Sequence, residues 1–525
     1  MKKLTQTQLI IFTTLFLLFF DNYSFFNNVL KIYPLEEKNI GFLLSLAVVL
    51  FSFTLLLLTI LSSKYTTKPI LIIVLIISSF TSYFMNSYSV IIDDSMIRNI
   101  LQTNFNESMD LLSIKQIVYF LLLGLLPSIF IYKSNIQYRS LKIELLSKLK
   151  TISIVLILIA ISISLFSKHY TSFFREHKPL RYSTNPAYWI YSSAKYINNS
   201  FNTSTLVVKP IALDAKMNVN NKKKKIVIVV VGEAVRADHF SLNGYERETT
   251  PRLKKENIIN FTNFSSCATT TAISVPCIFS SFGKEDFTYK KGISNENILD
   301  ILHRTNKVSL LWRDNNSDSK GVALRVTYQD YKTSHNNTIC IDGECRDEGM
   351  LVGLDKYIHQ NREKNILIVL HQMGNHGPAY YKRYPKEFRK YKPECTTNQL
   401  EECSSDEITN AYDNAILYTD YFLSKTINFL KNYTNDFETT MLYISDHGES
   451  LGEKGMYLHG LPYFIAPDAQ THVASLIWSN RDISSLRKIS GKHYSHDNIF
   501  DTLLGLFDIE TKLYNKKMDI FNVIK

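Results

Sequence analysis

The chain has 525 residues, of which 45% are hydrophobic, 13% aromatic and 20% charged, and its formal net charge is +11. This length allows two or three domains, and the balance, with only 18 Gly and 13 Pro, excludes wholesale disorder and collagen-like or low-complexity architectures. All 13 histidines lie at or beyond His169, and all six cysteines lie between Cys267 and Cys403. The sequence therefore joins two chemically different halves.

Residues 1–167 are predicted to form a transmembrane domain with five helices. One apolar stretch, Leu9–Leu30, carries Asp21 and three Asn in its second half. A signal peptide is the alternative for this stretch, but no small-residue cleavage site follows it and four more spans come after it. Those four approach the length that crosses about 30 Å of hydrocarbon, and they are Ile40–Ser62, Pro69–Tyr88, Gln116–Tyr132 and Thr151–Ser167.

The charges of the loops predict the orientation of these helices. With a cytoplasmic N-terminus, the inside segments carry nine Lys and Arg residues, whereas the outside loops carry four. Such a bias toward the cytoplasmic side is the usual one. Because five spans are an odd number, everything after Ser167 then lies outside the cytoplasm, which argues against nucleic acid as a partner.

The outside loop contains a polar pattern at helical spacing. Asn99, Thr103 and Glu107 stand at i, i+4 and i+8, which places them on one face of a helix. The alternative interpretation is a polar helix face at the membrane surface, and the spacing alone favours that alternative.

Residues 168–225 are predicted to form a bridging linker, rich in Tyr, Ser, Asn and Lys. Within it, Pro186–Asn199 has aromatic residues at helical spacing and could lie in the membrane interface.

The cysteines fall into three closely spaced pairs, Cys267 with Cys277, Cys340 with Cys345 and Cys395 with Cys403. In an oxidising compartment such pairs favour short-loop disulfides. A zinc-thiolate cluster is the alternative, although no CxxC motif occurs. Six cysteines formally allow 15 connectivities.

From Ile226 onward the pattern becomes that of an α/β domain, which we assign to residues 226–525. Three apolar runs are typical of strands buried on both faces: IVIVVV at Ile226, Ile366–Leu370 and Met441–Ile444. Amphipathic helical patterns intervene, the clearest over Thr409–Tyr433. Because ligands bind beyond the carboxyl ends of such strands, one crevice should collect the polar residues that follow them, namely Glu233, His371, His376, Asp446 and His447.

These residue types point to a metal. A carboxylate with an adjacent Asp-His pair gives the mixed oxygen and nitrogen ligand set that suits Zn²⁺. A lone Glu after a strand is more often a helix cap or a surface acid, but three such strand ends favour a metal site. The stretch Ser265–Cys277, SSCATTTAISVPC, is rich in hydroxyls. On its own it predicts a loop closed by a disulfide; beside a metal, one hydroxyl could become a nucleophile.

Six segments in this order resemble the lipid A phosphoethanolamine transferases, the family that includes the mobile colistin-resistance enzymes. They cover roughly residues 225–505 and are VVVGEAVRADHFSLNGYERETTPRL, SSCATTTAISVPC, RDNNSDSKGV, HQMGNHGPAY, YISDHGESLGEKGMYLHG and YSHDNIFDTLLG. The resemblance implies an alkaline-phosphatase-like (sulfatase-like) α/β periplasmic domain on a five-helix anchor in the bacterial inner membrane. It also implies Zn²⁺ as cofactor and a threonine nucleophile.

The resemblance further implies a role for each matched residue. Thr271 would be the nucleophile, and His376 and His459 would contact substrate or a second zinc ion. Lys320 would bind substrate, and Asn99, Thr103 and Glu107 would belong to an element that binds donor lipid. The zinc ligands would be Glu233, Thr271, Asp446 and His447. All three cysteine pairs have family counterparts, although the Cys340–Cys345 loop is short.

The function that the resemblance implies is the transfer of phosphoethanolamine from phosphatidylethanolamine to lipid A or another surface glycan. Thr271 would carry the group covalently after diacylglycerol leaves, and a histidine could manage protons near neutral pH. Such an enzyme would confer polymyxin resistance, and we expect a monomer. The alternatives are a phosphoglycerol transferase, a phosphodiester or sulfate ester hydrolase, and an inactive membrane-anchored binding module. The intact set of predicted zinc ligands argues against the last.

Overall fold

The computed structural model describes residues 3–103, 109, 111–175, 177–201, 207–218, 223–341 and 343–523. The chain forms two compact units, one made of Met1–Ile97 with Leu112–Asn198 and the other of Arg98–Leu111 with Asn199–Lys525. The boundary between Asn198 and Asn199 falls inside residues 168–225, which the sequence predicts as a linker.

Helices make up the first part of the chain. Among the described residues, four helices are long and apolar enough to cross a membrane, namely Glu37–Leu61, Thr67–Tyr88, Ile114–Lys133 and Leu141–Leu165. A pair bent by 54°, Gln6–Phe20 with Tyr23–Ile32, makes a fifth span if it is counted as one. In chain order the helices are α1 Gln6–Phe20, α2 Tyr23–Ile32, α3 Glu37–Leu61, α4 Thr67–Tyr88, α5 Asp94–Gln102, α6 Ile114–Tyr119, α7 Leu126–Lys133, α8 Leu141–Leu165, α9 Ser167–Arg175 and α10 Ala187–Phe201. A π-helix, Phe120–Leu125, joins α6 to α7, and together they form the candidate span Ile114–Lys133.

The bend between α1 and α2 follows from polar residues in the first apolar stretch. The Asn22 side-chain amide donates to the Leu17 carbonyl at 2.9 Å and to the Asn185 carbonyl at 2.6 Å. Side-chain bonds to the backbone compete with helical ones, so the helix is interrupted here. Two shorter helices thus replace the single span predicted over Leu9–Leu30.

The last long helix begins earlier than the sequence predicts. It starts at Leu141 rather than Thr151, so Lys142, Lys148 and Lys150 lie on its first turns. Lys148 donates to the carbonyl of Ser62, at the end of α3. Apolar length locates the part of a helix that lies in hydrocarbon, whereas a polar turn outside it can still be helical.

The second unit is built on a seven-stranded sheet. The strands of this unit are β1 Lys216–Met217, β2 Lys224–Gly232, β3 Ile258–Phe261, β4 Phe264–Ser265, β5 Val308–Asp314, β6 Thr327–Asp330, β7 Cys340–Ile341, β8 Glu344–Cys345, β9 Asn365–His371, β10 Phe437–Ser445, β11 Ser450–Leu451, β12 Tyr457–Leu458, β13 Ser475–Ser479, β14 Tyr494–Ser495 and β15 Ile509–Glu510. The order of strands in the large sheet is β3-β13-β10-β2-β9-β5-β6. Neighbouring strands from β10 to β6 are parallel, and β13 runs antiparallel to β10 and β3.

Helices cover this sheet and close its core. They are α11 Thr271–Ile278, α12 Tyr289–Ser294, α13 Ile298–Arg304, α14 Leu354–Gln360, α15 Ser405–Lys431, α16 Asp468–Thr471 and α17 Ile499–Leu506. Val227, Val229 and Val231 of β2 belong to one buried cluster with residues of α11, α13 and α17. The alternate residues of β2 are buried as well, so the central strands are covered on both faces, as their apolar runs predict.

The six cysteines form three disulfides, Cys267–Cys277, Cys340–Cys345 and Cys395–Cys403. No cysteine is left free for a zinc-thiolate cluster.

Candidate active site

Two neighbouring strands deliver the acidic residues of the site. Glu233 directly follows β2, and Asp446 and His447 directly follow β10. The two strands are parallel and in register, with Ser445 opposite Gly232. The carboxyl ends of the strands therefore hold Glu233 and Asp446 side by side, at the edge of the sheet where the sequence predicts the crevice.

Thr271 reaches this edge from the first position of α11. Its Oγ1 lies 3.2 Å from Oε2 of Glu233 and 3.1 Å from Nε2 of His447. The same Nε2 lies 3.4 Å from Oε1 of Glu233 and 3.4 Å from Oδ2 of Asp446. The four residues predicted as ligands thus meet around one point.

The position of Thr271 at a helix N-terminus matters chemically. Thr270 precedes the helix in extended conformation and makes no side-chain capping bond. The first amide groups of a helix lack partners within it, and the helix dipole is positive at this end. An anion beside the Thr271 hydroxyl, such as a phosphate, would meet favourable charge there.

The cluster concentrates negative charge away from water. Both Glu233 and Asp446 are fully buried, and burial together with the Asp446 carboxylate raises the pKa of Glu233. Oε1 of Glu233 and Oδ2 of Asp446 have no hydrogen-bond partner among the described residues. Buried acceptors without partners are rare in proteins. A divalent cation between them would supply the missing partner.

His447 is in the tautomer that suits a metal ligand. Its Nδ1 lies 2.9 Å from the Gly448 carbonyl oxygen, which can only accept, so Nδ1 carries the proton. The lone pair on Nε2 therefore points into the cluster. A ligand histidine is usually fixed in this way by a bond from its other ring nitrogen.

His459 and His376 lie next to this group. One ligand atom from each of Glu233, His447 and His459 lies within 4.8 Å of the other two. The ring centroids of His447 and His459 are 4.1 Å apart, and those of His376 and His459 are 6.1 Å apart. The two histidines predicted to act on substrate are therefore brought to the cluster.

A buried acid orients His459. Nδ1 of His459 lies 2.7 Å from Oε2 of Glu449, whose Oε1 accepts from the Tyr380 hydroxyl at 2.6 Å. Burial alone would lower the pKa of His459, but the Glu449 carboxylate outweighs it, with Glu233 and Asp446 adding to the effect, and the pKa rises to about 9.

Sequence reasoning missed several residues that hold the site together. Asn316 donates from Nδ2 to Oε2 of Glu233 and to the Gln372 carbonyl, both at 2.8 Å. Ser274 donates to the Asp446 carbonyl. A signal existed for Asn316, because the run Leu310–Trp312 of β5 also ends in polar residues. Ser274, Glu449 and Tyr380 gave no such signal, since each acts on another residue rather than on a ligand.

His371 lies beside the cluster and is held by an acid outside it. It is the last residue of β9 and fully buried, and its Nδ1 lies 2.9 Å from Oδ2 of Asp314. Its ring packs against Trp312 with the centroids 5.8 Å apart. Although burial alone would lower the pKa of His371, the Asp314 carboxylate raises it, and the Asp446 and Glu233 carboxylates add to that effect.

Lys320 and Thr103, which are predicted to bind substrate, contact residues outside the cluster. Lys320 is buried, has a φ of 48° and lies with Nζ 3.9 Å from Oδ1 of Asp318. Thr103 donates to the Asn99 carbonyl at 2.8 Å, as expected for residues one turn apart. Glu107 lies outside the described residues.

Known proteins share both parts of the chain. The family model for phosphoethanolamine transferase EptA/EptB matches residues 50–201, and the sulfatase model matches residues 225–509. Phosphatidylethanolamine transferase Mcr-2 of Escherichia coli is 44% identical over 506 residues, covering 94% of each chain. Phosphoethanolamine transferase EptA of E. coli strain K12 is 38% identical over 518 residues, covering 96% of this chain and 94% of the relative. The solved integral membrane protein lipooligosaccharide phosphoethanolamine transferase A of Neisseria meningitidis is 34% identical, with a TM-score of 0.95 and 99% of each chain covered.

Proposed function

Because this chain belongs to the phosphoethanolamine transferase family, we propose that it transfers phosphoethanolamine from phosphatidylethanolamine to lipid A, with Thr271 as the nucleophile. The observation that carries the proposal is the buried Thr271 hydroxyl, held between Glu233 and His447 at a helix N-terminus. A binding module has no need of a hydroxyl in this position. The chain is an inner-membrane protein, with its second unit in the periplasm.

In the first step, the Thr271 oxygen attacks the phosphorus of phosphatidylethanolamine. The hydroxyl proton moves to Oε2 of Glu233, which already accepts from it at 3.2 Å. The bond between phosphorus and the glycerol oxygen breaks. That oxygen takes a proton from His459, which is protonated at neutral pH because its pKa is about 9. Diacylglycerol leaves, and phosphoethanolamine remains on Thr271.

In the second step, an oxygen of the acceptor attacks the same phosphorus. The bond to Thr271 breaks, and the threonine oxygen recovers its proton from Glu233. His459 recovers a proton from the acceptor when a hydroxyl attacks, or from water when a phosphate oxygen attacks. His376, next to His459, together with Lys320, Asn99, Thr103 and Glu107, would contact the two substrates.

Zn²⁺ fits the residues present. Glu233, Thr271, Asp446 and His447 would hold it, since two buried carboxylate oxygens lack partners and Nε2 of His447 presents a lone pair. When bound, Zn²⁺ would supply the positive charge that stabilises the attacking oxygen and the charge that develops on phosphate.

The decisive experiment replaces Thr271. Thr271→Ala should lower transfer at least about 1,000-fold, because covalent catalysis loses its nucleophile, whereas Thr271→Ser should keep part of the activity. Thr270→Ala is the matched control, since its side chain makes no capping bond. With phosphatidylethanolamine alone, mass spectrometry of wild-type peptides should find phosphoethanolamine on Thr271. Normal transfer by Thr271→Ala with no adduct on any residue would refute the mechanism. A phosphoglycerol adduct that forms when phosphatidylglycerol is supplied, with no adduct from phosphatidylethanolamine, would support the alternative substrate class.

A further inference from the structure

The first unit contains a cavity that is lined by none of the residues to which a role in the transfer reaction has been assigned. Its volume is about 390 Å³, within the range typical of ligand pockets. Helices α2, α3, α8, α9 and α10 supply its walls, with side chains that are almost all aliphatic or aromatic, among them Phe25, Leu50, Phe53, Ile159, Ile163 and Phe173.

The cavity extends from the periplasmic side to about the middle of the bilayer. Helix α3 enters the membrane from the periplasm at Glu37, and its wall residues Leu46–Phe53 lie roughly 14 to 24 Å along the helix from there, at 1.5 Å per residue. Helix α8 runs the opposite way and contributes Ile159 and Ile163 near its periplasmic end at Leu165. The cavity walls therefore reach from the periplasmic end of α8 to about the middle of a hydrocarbon core about 30 Å thick.

One charged residue stands at this cavity. Arg181 is the single charged side chain among the described residues that line it. It follows α9, and it is exposed although its neighbours Leu180 and Ser183 are buried. In the part of the chain that the structure describes, no acidic side chain pairs with its guanidinium. Tyr188 and Tyr191 also line the cavity, and tyrosines of this kind are enriched at the level of the lipid headgroups.

We propose that this cavity binds an intact phospholipid of the periplasmic leaflet, with one acyl chain inside it and the phosphodiester on Arg181. An apolar cavity that reaches toward the middle of the bilayer fits an acyl chain, and a guanidinium at the headgroup level complements a phosphate. The occupant is phosphatidylethanolamine, an assignment that rests on the proposed function. Diacylglycerol, the product, has no phosphate and would leave Arg181 without its partner.

The test uses the full chain in nanodiscs that contain phosphatidylethanolamine with a photoactivatable group on one acyl chain. Crosslinks should map to peptides that carry the cavity residues of α3 and α8. Unlabelled phosphatidylethanolamine should compete at least about five-fold better than diacylglycerol in the wild-type protein, a comparison that needs no variant.

Two pairs of variants separate the chain slot from the phosphate contact. Val49→Trp should fill the cavity and lower labelling at least about five-fold, whereas Val48→Trp, the same change on the adjacent exposed residue, should not. Arg181→Gln should abolish the preference over diacylglycerol, and Arg181→Lys should retain it. Equal labelling of the two Trp variants, equal competition by diacylglycerol, or crosslinks elsewhere would overturn the proposal.

Transfer is measured on the same samples. Transfer without cavity labelling would refute this inference alone. Cavity labelling in a wild-type protein that transfers nothing would leave the lipid site standing and refute the proposed function.

Discussion

His496 shows how one residue supports the site without touching substrate. Its Nδ1 accepts from the Cys267 amide at 3.0 Å, and its Nε2 donates to the Ser445 carbonyl at 3.0 Å. Ser445 precedes Asp446, and Cys267 precedes the helix of Thr271, so a neutral imidazole ties the two together. Because the ring is fully buried, its pKa is lowered to about 4.

This histidine makes the stability of the second unit depend on pH. Below pH 6.5 the imidazole of His496 becomes protonated in the unfolded chain but stays neutral in the folded chain. The free energy of unfolding therefore has its full value above pH 6.5 and decreases as the pH falls toward 4. The total loss is about 3 kcal/mol. His496→Gln should therefore destabilise the protein more at pH 7 than at pH 4.5.

The measurement is urea unfolding of the full chain at both pH values, followed by tryptophan fluorescence, to which Trp312 and Trp478 of the second unit contribute together with Trp189 of the first. His303→Gln, a change to an exposed histidine of α13, is the control and should follow the wild type at both. A gap between His496→Gln and wild type that does not narrow in acid would contradict the assignment.

The residues predicted to contact metal or substrate were easier to predict from the sequence than the residues that position other side chains. Glu233, Asp446 and His447 follow apolar runs, and the topology of parallel sheets gathers such residues. Ser274 and Glu449 are found only when the positions of their partners are known. The choice of Thr271 among three consecutive threonines rested on the resemblance, because composition treats the three alike.

Among the elements, the loop that follows β9 packs directly on Glu233. The Asn375 amide donates to the Glu233 carbonyl at 3.0 Å. At Gly374 the backbone has a φ of 49°, and an added Cβ would lie 2.9 Å from the Glu233 carbonyl oxygen and 3.0 Å from its Cβ. A residue with a side chain cannot approach this closely, so the loop or Glu233 would have to move.

Gly374→Ala should therefore impair catalysis. A ligand displaced by a fraction of an ångström should lower transfer by roughly 10- to 100-fold. Gly244→Ala is the matched control, because Gly244 also has a positive φ, 95°, but an added Cβ would meet nothing within 4 Å. That variant should lose only about 1 kcal/mol of stability. Transfer rates and unfolding midpoints of both variants check this, and equal transfer would show that Glu233 tolerates the displacement.

The elements themselves were predictable where the apolar pattern was pure. β2, β9 and β10 are continuous apolar runs, and the long amphipathic pattern over Thr409–Tyr433 is α15, Ser405–Lys431. β5 and β13 were missed because each has an uninterrupted apolar run of only three residues, bounded by Ser or Arg. The bend after α1 was signalled by Asp21 and Asn22, but the partner that stabilises it, Asn185, lies far away in sequence.

At the scale of the whole molecule, the two parts of the chain differ in amino-acid composition because one faces hydrocarbon and the other faces water. Helices that meet hydrocarbon need apolar length and tolerate polar residues at their ends. The periplasmic unit can hold disulfides and bury charge, provided that the charge finds partners. Its least compensated charge is the pair Glu233 and Asp446, so the stability of this unit should depend on a bound cation.

Metal removal should lower that stability and zinc should restore it. Binding to the folded state alone adds about 4 kcal/mol when free zinc exceeds its dissociation constant 1,000-fold, which is about 6 °C for a unit of this size.

Glu233→Gln removes one of the two like charges, so the chelated variant should melt no lower than the chelated wild type, and zinc should raise its melting temperature by several degrees less. Glu363→Gln changes an exposed acid and should reproduce the wild-type shift. Thermal scans of the full chain with chelator and with zinc measure all three proteins by tryptophan fluorescence, to which Trp312 and Trp478 of the second unit contribute together with Trp189 of the first. An equal zinc shift in Glu233→Gln and wild type would show that the cation binds elsewhere, because the site built from Glu233 and Asp446 cannot keep its affinity after losing one of its two charged ligands.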